Sequence, residues 1–342
     1  MQTDNSVVVY GAAGHTGRFV VAELLRSGIS PVLAGRAAAK LDAFAERFPN
    51  LEKRVAGVDD PGALSRMLGG ALAVINCAGP FIDTSAPMIG AAVRNGVHYL
   101  DIAAEQAAVH KAFVEFDASA RAAGIVVVPA CGFYGGLGDL VATAVMDDWA
   151  QADEIDIAVA LDSWAPTRGT RLTGEKNPGR RYHFTNGALE RRDAFPSRQW
   201  EFPAPFDRQE VVNLALSEAI LIPSHLRTRE VRFFLNTKPL SDLGNPDTPA
   251  PTPVDERGRS AQIFLMEASV RRGPQERRAH VRGQDIYAVT APIVAEAARR
   301  LFEKRPDASG VRSIAALFEA RDFLAALSRA DPTFSFAGRS RD

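Results

Sequence analysis

The chain has 342 residues, 46% of them hydrophobic and 24% charged, with 40 Lys+Arg against 41 Asp+Glu. That length suits two domains of about 150 residues rather than one small core. A net charge of -1 offers no basic footprint for nucleic acid or an anionic membrane surface. The two cysteines, Cys77 and Cys131, lie in apolar runs without CxxC spacing, which argues against a disulfide framework or a zinc site. The opening MQTDNSVVVYG has no basic region ahead of its short apolar run, and no stretch is long and apolar enough for a membrane span. A reducing cytoplasm is the expected setting.

The first 130 residues alternate strands and helices. Strands are expected at Ser6–Tyr10, Pro31–Ala34, Lys53–Val58, Leu72–Cys77, Val97–Ile102 and Ile125–Pro129. Helices are expected at Arg18–Ser27, Ala37–Phe48, Pro61–Leu68, Ala86–Asn95 and Ala108–Ala123. Most of these strands are apolar along their whole length, as in a parallel sheet buried on both faces. The pattern predicts an α/β fold with a doubly wound parallel Rossmann sheet.

After Gly132 the pattern changes to alternating strands joined by turns. Ile155–Ser163, Val231–Asn236 and Gln262–Arg271 read as strands, and Arg181–Arg192 carries Asn186-Gly187 between two alternating runs, a hairpin signal. Arg277–Arg282 is expected to pair back on Gln262–Arg271 across Gly273-Pro274. Five prolines in Lys238–Ser260 predict a long surface loop, neither strand nor helix. From Ala288 the chain turns helical again, and two helices are expected to pack back on the first domain. The predicted organisation is a Rossmann domain at 1–132, an α+β domain with a mainly antiparallel sheet at 133–284, and returning C-terminal helices at 285–342.

The first chemistry sits at Gly11-Ala12-Ala13-Gly14-His15-Thr16-Gly17, between a strand and a helix. Gly11 permits the tight turn, Gly14 close approach of the backbone to a pyrophosphate, and Gly17 close packing of helix on sheet. Backbone N–H groups at the helix start, with the helix dipole, then hold phosphate. The backbone of Ala13, His15 and Thr16 belongs to that cradle. At the end of the second strand, where an acid would accept the ribose 2′-OH of NAD, the chain has Arg36, with Lys40 one turn on. A guanidinium there suits a 2′-phosphate, so NADP(H) is the expected cofactor. Asp59 suits an adenine amino group or, equally, a cap on the helix that opens at Pro61. Cys77, Ala78, Gly79 and Pro80 follow the fourth strand, where small residues let a dinucleotide pass.

Several segments together resemble the saccharopine dehydrogenase-like NADP-binding oxidoreductases, which include saccharopine reductases and trans-acting enoyl reductases. They are GAAGHTGR at 11–18, LAGR at 33–36, INCAGPF at 75–81, GVHYLDIAAE at 96–105, PACGFYGGLGDL at 129–140 and GQDIYAVTAPIVAEAA at 283–298. TRGTRLTG at 167–174 is similar to the family's glycine-threonine segment. The resemblance implies an NADP-binding Rossmann domain interrupted by a sheet-rich substrate and dimerisation domain, oxidoreductase activity, and a homodimer. The chain departs from the family at Ala103-Ala104-Glu105, where Thr-Gly-Glu is usual, and at Tyr134-Gly135-Gly136, where an Asp-Ser or Asp-Pro pair is usual. Substrate identity therefore does not transfer.

Hydride transfer needs a positioned substrate and a proton source. The candidates are Tyr99, Asp101, Glu105 and Tyr134. Tyr99 and Asp101 alternate on one strand and face the same way, which fits a catalytic pair or a structural hydrogen bond at the sheet. His98 and Cys131 read as structural, Asp139 as a cap for the helix after Gly138. Arg168, Arg171, Lys176, Arg180, Arg181 and His183 form a basic stretch, either a solvated surface or a clamp for a substrate anion. The expected function is NADP(H)-dependent hydride transfer to or from a C=N, C=C or C=O bond of a small metabolite, with no metal. A non-catalytic NADP sensor is the alternative.

Overall fold

The computed structural model describes residues 6–176, 181–192, 196–304 and 307–341. In chain order the first elements are β1 (Ser6–Tyr10), α1 (His15–Arg26), β2 (Pro31–Gly35), α2 (Ala38–Ala45), β3 (Lys53–Val55), α3 (Pro61–Leu68), β4 (Ala71–Asn76), α4 (Phe81–Asn95), β5 (His98–Asp101), α5 (Gln106–Lys111), α6 (Asp117–Ala122) and β6 (Val126–Val128). A π-helical turn, Ala112–Phe116, joins α5 to α6. Then follow α7 (Gly136–Met146), β7 (Glu154–Leu161), α8 (Arg168–Lys176), β8 (Arg181–Thr185), β9 (Ala188–Arg192), β10 (Arg198–Glu201), β11 (Arg208–Asn213), α9 (Glu218–Leu221), β12 (Glu230–Asn236), α10 (Thr237–Gly244), β13 (Ile263–Arg272) and β14 (Gln275–Gln284). The chain ends with α11 (Thr290–Glu303), β15 (Gly310–Val311), α12 (Ile314–Leu317), α13 (Ala320–Ala330) and β16 (Ser335–Arg341). Two compact units result. Unit 1 takes the chain up to Gly132 plus Thr290–Arg312, and unit 2 takes Phe133–Val289 plus the residues from Ser313.

Unit 1 is built on a seven-stranded sheet in the order β15-β6-β5-β4-β1-β2-β3, and every pairing is parallel. This is the doubly wound order, 3-2-1-4-5-6, extended by one short strand. The valines of β1 are fully buried, and α1 lays Gly17, Val20, Val21 and Leu24 inward at helical spacing. Strand β3, at the edge, is short, charged and largely exposed, which blunts pairing with another chain. Reversal of strand order beside β1 puts the carboxyl ends of β1, β2 and β4 together, the usual place for a ligand in such sheets.

Unit 2 holds a nine-stranded sheet, β10-β11-β12-β7-β13-β14-β16, with β8 on β12 and β9 on β8. Among the described strands only β12 and β7 pair in parallel, so the sheet is mixed but mainly antiparallel. The Asn186-Gly187 hairpin forms as read, with both residues at positive φ. Helix α7 packs on β13 and β14, and α13 packs on α7. Nearly all of α7 is buried.

Three expectations need correction. Residues 238–260 are not all loop, because Thr237–Gly244 is helical. Pro239 falls in its first turn, where the missing N–H has no intrahelical acceptor to lose. Of the C-terminal helices, α11 lies in unit 1, but α13 lies in unit 2 and is followed by β16, which pairs with β14. Finally, α7 begins at Gly136 rather than after Gly138, with Gly135 at positive φ as its N-cap. Asp139 therefore sits inside the first turn, free to make tertiary bonds.

Candidate functional site

The glycine turn of unit 1 follows directly from β1. Gly11 and Ala12 donate their N–H groups to the Ala34 carbonyl at 2.8 and 3.2 Å, tying the turn to the end of β2. Gly14 donates to the Gly11 carbonyl at 2.8 Å and serves as N-cap of α1, with no side chain capping that helix. A Cβ at position 17 would overlap the Gly11 carbonyl oxygen, and one at position 14 would come within 2.9 Å of it. The turn thus has a compact form that leaves the N-terminus of α1, with Ala13, His15 and Thr16, in the arrangement a phosphate requires. His15 is held at its edges, 3.3 Å from an Arg18 nitrogen and edge-on to Phe19.

The carboxyl end of β2 is marked by charge. Tyr10 donates its hydroxyl to the Ala56 carbonyl at 3.0 Å. Burial raises its pKa, while the Arg36 charge lowers it and the Asp59 charge raises it, so both side chains lie within electrostatic reach of the same phenol. The cap of α3 is Asp60, whose Oδ1 accepts from Ala63 N–H at 2.9 Å. Asp59 is thus relieved of the capping role, and Lys40 stands exposed on α2.

The segment after β4 is fixed by side chains that sequence reasoning did not single out. Asn76 Oδ1 accepts from Ala78 N–H at 3.0 Å, and its amide donates to Thr84 Oγ1 and the Tyr99 hydroxyl. Thr84 donates back to the Ala78 carbonyl at 2.6 Å. Cys77 N–H bonds the Tyr10 carbonyl, and Gly79-Pro80 is a cis peptide. Glu105 reaches across to accept from Phe81 N–H at 2.9 Å through Oε1, and from Ala104 N–H through Oε2. Its side chain is a clamp on the Cys77–Phe81 loop.

Tyr99 and Asp101 are brought together, but inside the unit. Tyr99 has no exposed surface and donates to Asp101 Oδ2 at 2.7 Å. Asp101 also accepts from Ser85 Oγ, Ala103 N–H and Ala130 N–H. Burial raises both groups, and these bonds bring Asp101 part of the way back. The pair is committed to joining β5, α4 and the segment after β6, which favours the structural side of the two readings left open by the sequence. His98 accepts from Val126 N–H at 3.0 Å, and burial drives the Cys131 thiol upward, so neither is a reactive group.

Unit 2 holds Tyr134 within an aromatic cluster of Phe133, Trp164 and Phe233, with ring centroids 4.9 to 5.9 Å away. Glu218 was missed by sequence reasoning. It is fully buried, and its Oε1 accepts Gly135 N–H at 2.7 Å. A lone acid in the apolar run Leu214–Ile222 was the available signal. Burial, with the Asp139 charge adding to it, pushes Glu218 up to about 7. Asp139 lies 2.7 Å from His225 Nε2 and accepts from Ala315 N–H. Burial lowers the imidazole, and Asp139 more than reverses that. Of the basic stretch, Arg168, Arg171 and Lys176 lie on α8, which buries nothing, and Arg171 bonds the Asn245 and Thr248 carbonyls. Arg181 and His183 lie on β8. Arg180 lies outside the described residues.

Residues 7–128 match the family model of the saccharopine dehydrogenase NADP binding domain. Unit 1 carries that NADP-binding domain. A lipid droplet localized protein of Caenorhabditis elegans is 35% identical over 142 residues, covering 37% of this chain and 33% of that protein. A saccharopine dehydrogenase-like oxidoreductase of Bos taurus is 30% identical over 145 residues, covering 37% and 34%. The chain thus matches about a third of the length of these relatives, and the match is confined to a stretch the size of the NADP-binding domain. The apo saccharopine dehydrogenase (L-Glu forming) of Saccharomyces cerevisiae has the same fold at a TM-score of 0.65, 13% identity, and coverage of 98% and 100%. Among the described residues, no helix is long and apolar enough to cross a membrane.

Proposed function

We propose that the chain is an NADP(H)-dependent oxidoreductase that moves a hydride to or from a C=N, C=C or C=O bond of a small metabolite. The observation that carries the reading is the pairing of a glycine turn too tight for a methyl at position 17 with Arg36 at the end of β2, within electrostatic reach of Tyr10. When bound, NADPH supplies a hydride from C4 of its nicotinamide. The diphosphate rests on the Gly11–Gly17 turn and the N-terminus of α1. Arg36, with Lys40, takes the 2′-phosphate, and Asp59 the adenine amino group. Cys77, Ala78, Gly79 and Pro80 form the small-residue loop along which the cofactor runs, and Glu105 holds that loop in place. Glu105 is a positioning residue in this reading. Tyr99 and Asp101 support the sheet, and Tyr134 is left as the proton-bearing candidate.

Unit 2 serves as the substrate and dimerisation domain. A homodimer is supported by the outer strands of its sheet, β9, β10 and β16, each paired on one side only among the described residues. Light scattering of the purified chain tests that point, and a monomer at micromolar concentration removes it. A cytoplasmic setting is supported by the two unpaired cysteines. A relative named for lipid droplets makes imaging of a tagged chain the deciding measurement.

The central test is a fluorescence titration with NADPH and NADH, on the native chain and on Arg36→Ala. The reading expects NADPH to bind more tightly, and Arg36→Ala to weaken NADPH at least tenfold (about 1.4 kcal/mol) while leaving NADH little changed. No binding of either nucleotide would reject it. NADPH binding without turnover of any imine, enone or aldehyde would leave the sensor reading instead.

A further inference from the structure

Two buried polar atoms, one just before α7 and one on α9, lack a hydrogen-bond partner among the described residues. They are the Tyr134 hydroxyl oxygen and Glu218 Oε2. A native structure rarely leaves one buried polar group unpaired, because its desolvation is then uncompensated. Here two such groups lie within each other's electrostatic reach, since the Glu218 charge raises the Tyr134 phenol. The other group acting on that phenol, the Tyr287 hydroxyl, is already committed to Trp164 Nε1, Thr167 N–H and Thr170 Oγ1.

The seat of Glu218 is built into the chain. Gly135 N–H fixes Oε1 at 2.7 Å, which turns Oε2 away as the open atom. Glycine is required at 138, because a Cβ there would come within 2.9 Å of Glu218 Cγ and 3.1 Å of Oε1. Tyr134, on the other side, is held by the rings of Phe133, Trp164 and Phe233. Such aromatic walls exclude water and strengthen any hydrogen bond made between them.

We propose that Tyr134 and Glu218 form a two-donor pocket in unit 2 for a carbonyl oxygen, so that the substrate is an aldehyde, ketone or enone with an apolar body. The inference rests on the oxidoreductase reading and narrows its three bond types to compounds that carry a carbonyl. With Glu218 pushed up to about 7, a large share of the carboxyl is neutral at physiological pH. Its proton belongs on Oε2, because Oε1 accepts from Gly135. Phenol and carboxylic acid then offer two O–H donors, and a carbonyl oxygen has two lone pairs to receive them. A phenol and a neutral carboxylic acid in an apolar site are a known pair for holding an oxygen that gains negative charge.

The test uses 4-nitrophenol, an aromatic molecule whose oxygen accepts two hydrogen bonds and whose absorption band reports its protonation. The full-length chain is expected to bind it saturably with a shifted band. Tyr134→Phe should weaken that binding at least tenfold, and Glu218→Leu should do the same. Glu218→Gln, whose amide still donates from the same place, should stay within threefold of the native chain. Near-ultraviolet circular dichroism confirms that each variant is folded, and Tyr134→Phe alone decides the matter if Glu218→Leu is not. Absence of saturable binding, or unchanged affinity in Tyr134→Phe, overturns the proposal and leaves the two atoms to a structural water. NADPH titration of the same samples separates the two readings. Intact NADPH binding without 4-nitrophenol binding defeats only the carbonyl pocket, whereas loss of NADPH binding by the native chain defeats the oxidoreductase reading beneath it.

Discussion

Unit 1 and unit 2 each bury carboxyl groups, and in each case burial pushes the acid upward. Their surroundings then part. Asp101 is met by two backbone N–H groups, a serine and a tyrosine, and Glu105 by backbone N–H groups on both of its oxygens. Glu218 accepts from Gly135 N–H through Oε1, while its Oε2 has no partner among the described residues. The same contrast holds for the tyrosines, since the Tyr99 hydroxyl bonds Asp101 and Asn76 while the Tyr134 hydroxyl has no partner among the described residues. Burial therefore does not separate a structural acid from a working one. The count of satisfied lone pairs does.

The comparison breaks most sharply at Asp101. Asp101→Ala strands two backbone N–H groups, Ser85 and Tyr99 together, and is expected to cost about 3–5 kcal/mol, of the order seen for breaking buried networks. Urea unfolding measures this, and a loss below about 1 kcal/mol would mean that Asp101 is not the hub its bonds describe.

Glu218 should betray itself through pH. Its folded value of about 7 lies above the ordinary 4.5, so the folded state holds the proton more tightly than the unfolded one. Stability from this group is present below pH 4.5 and is lost as pH climbs to 7, by about 3 kcal/mol in all. Glu218→Gln lacks that loss, so its stability relative to the native chain should grow between pH 5 and pH 8. Parallel unfolding curves at the two pH values would show the carboxyl to be ionised throughout.

Glu105→Ala tests the clamp. Freeing Phe81 N–H and Ala104 N–H is expected to cost about 1–3 kcal/mol of stability. The Cys77–Phe81 loop should then loosen enough to weaken NADPH by several-fold. Equal NADPH affinity in a folded Glu105→Ala chain would remove the positioning role.

The mildest pair sharpens the comparison best. Tyr99→Phe removes a hydroxyl that is bonded twice and should destabilise by about 1–2 kcal/mol. Tyr134→Phe removes one that has no partner among the described residues and should leave stability unchanged or slightly raised. Thermal melts of the two variants side by side suffice, and equal losses would erase the distinction.

Much of unit 1 was legible because its signals are local. Three consecutive valines make β1, Gly11 to Gly17 fall between a strand and a helix, and Arg36 stands where an acid is usual. The Asn186-Gly187 hairpin was equally plain, since two adjacent residues determine the turn. What stayed hidden depends on partners far along the chain. Glu218 meets Gly135 across 83 positions, and β15 is two residues long and exists only because β6 offers an edge. Asp59 and Asp60 are neighbours with the same side chain, and only backbone geometry assigns the cap to the second. Pro239 pointed to loop because a proline's effect depends on its place in a helix, which local composition does not give.

The division of unit 1 between the two ends of the chain has a consequence for synthesis. Helix α11, which packs on α1, β4 and β5, and strand β15, which extends the sheet beyond β6, are translated only after the whole of 133–289. At about 5–20 residues per second, the nascent NADP-binding domain waits roughly 8 to 36 seconds with one flank of its sheet and the face of α1 uncovered. The insertion makes a segment translated before it one of the last to be finished, and the intervening unit is synthesised while unit 1 is still open.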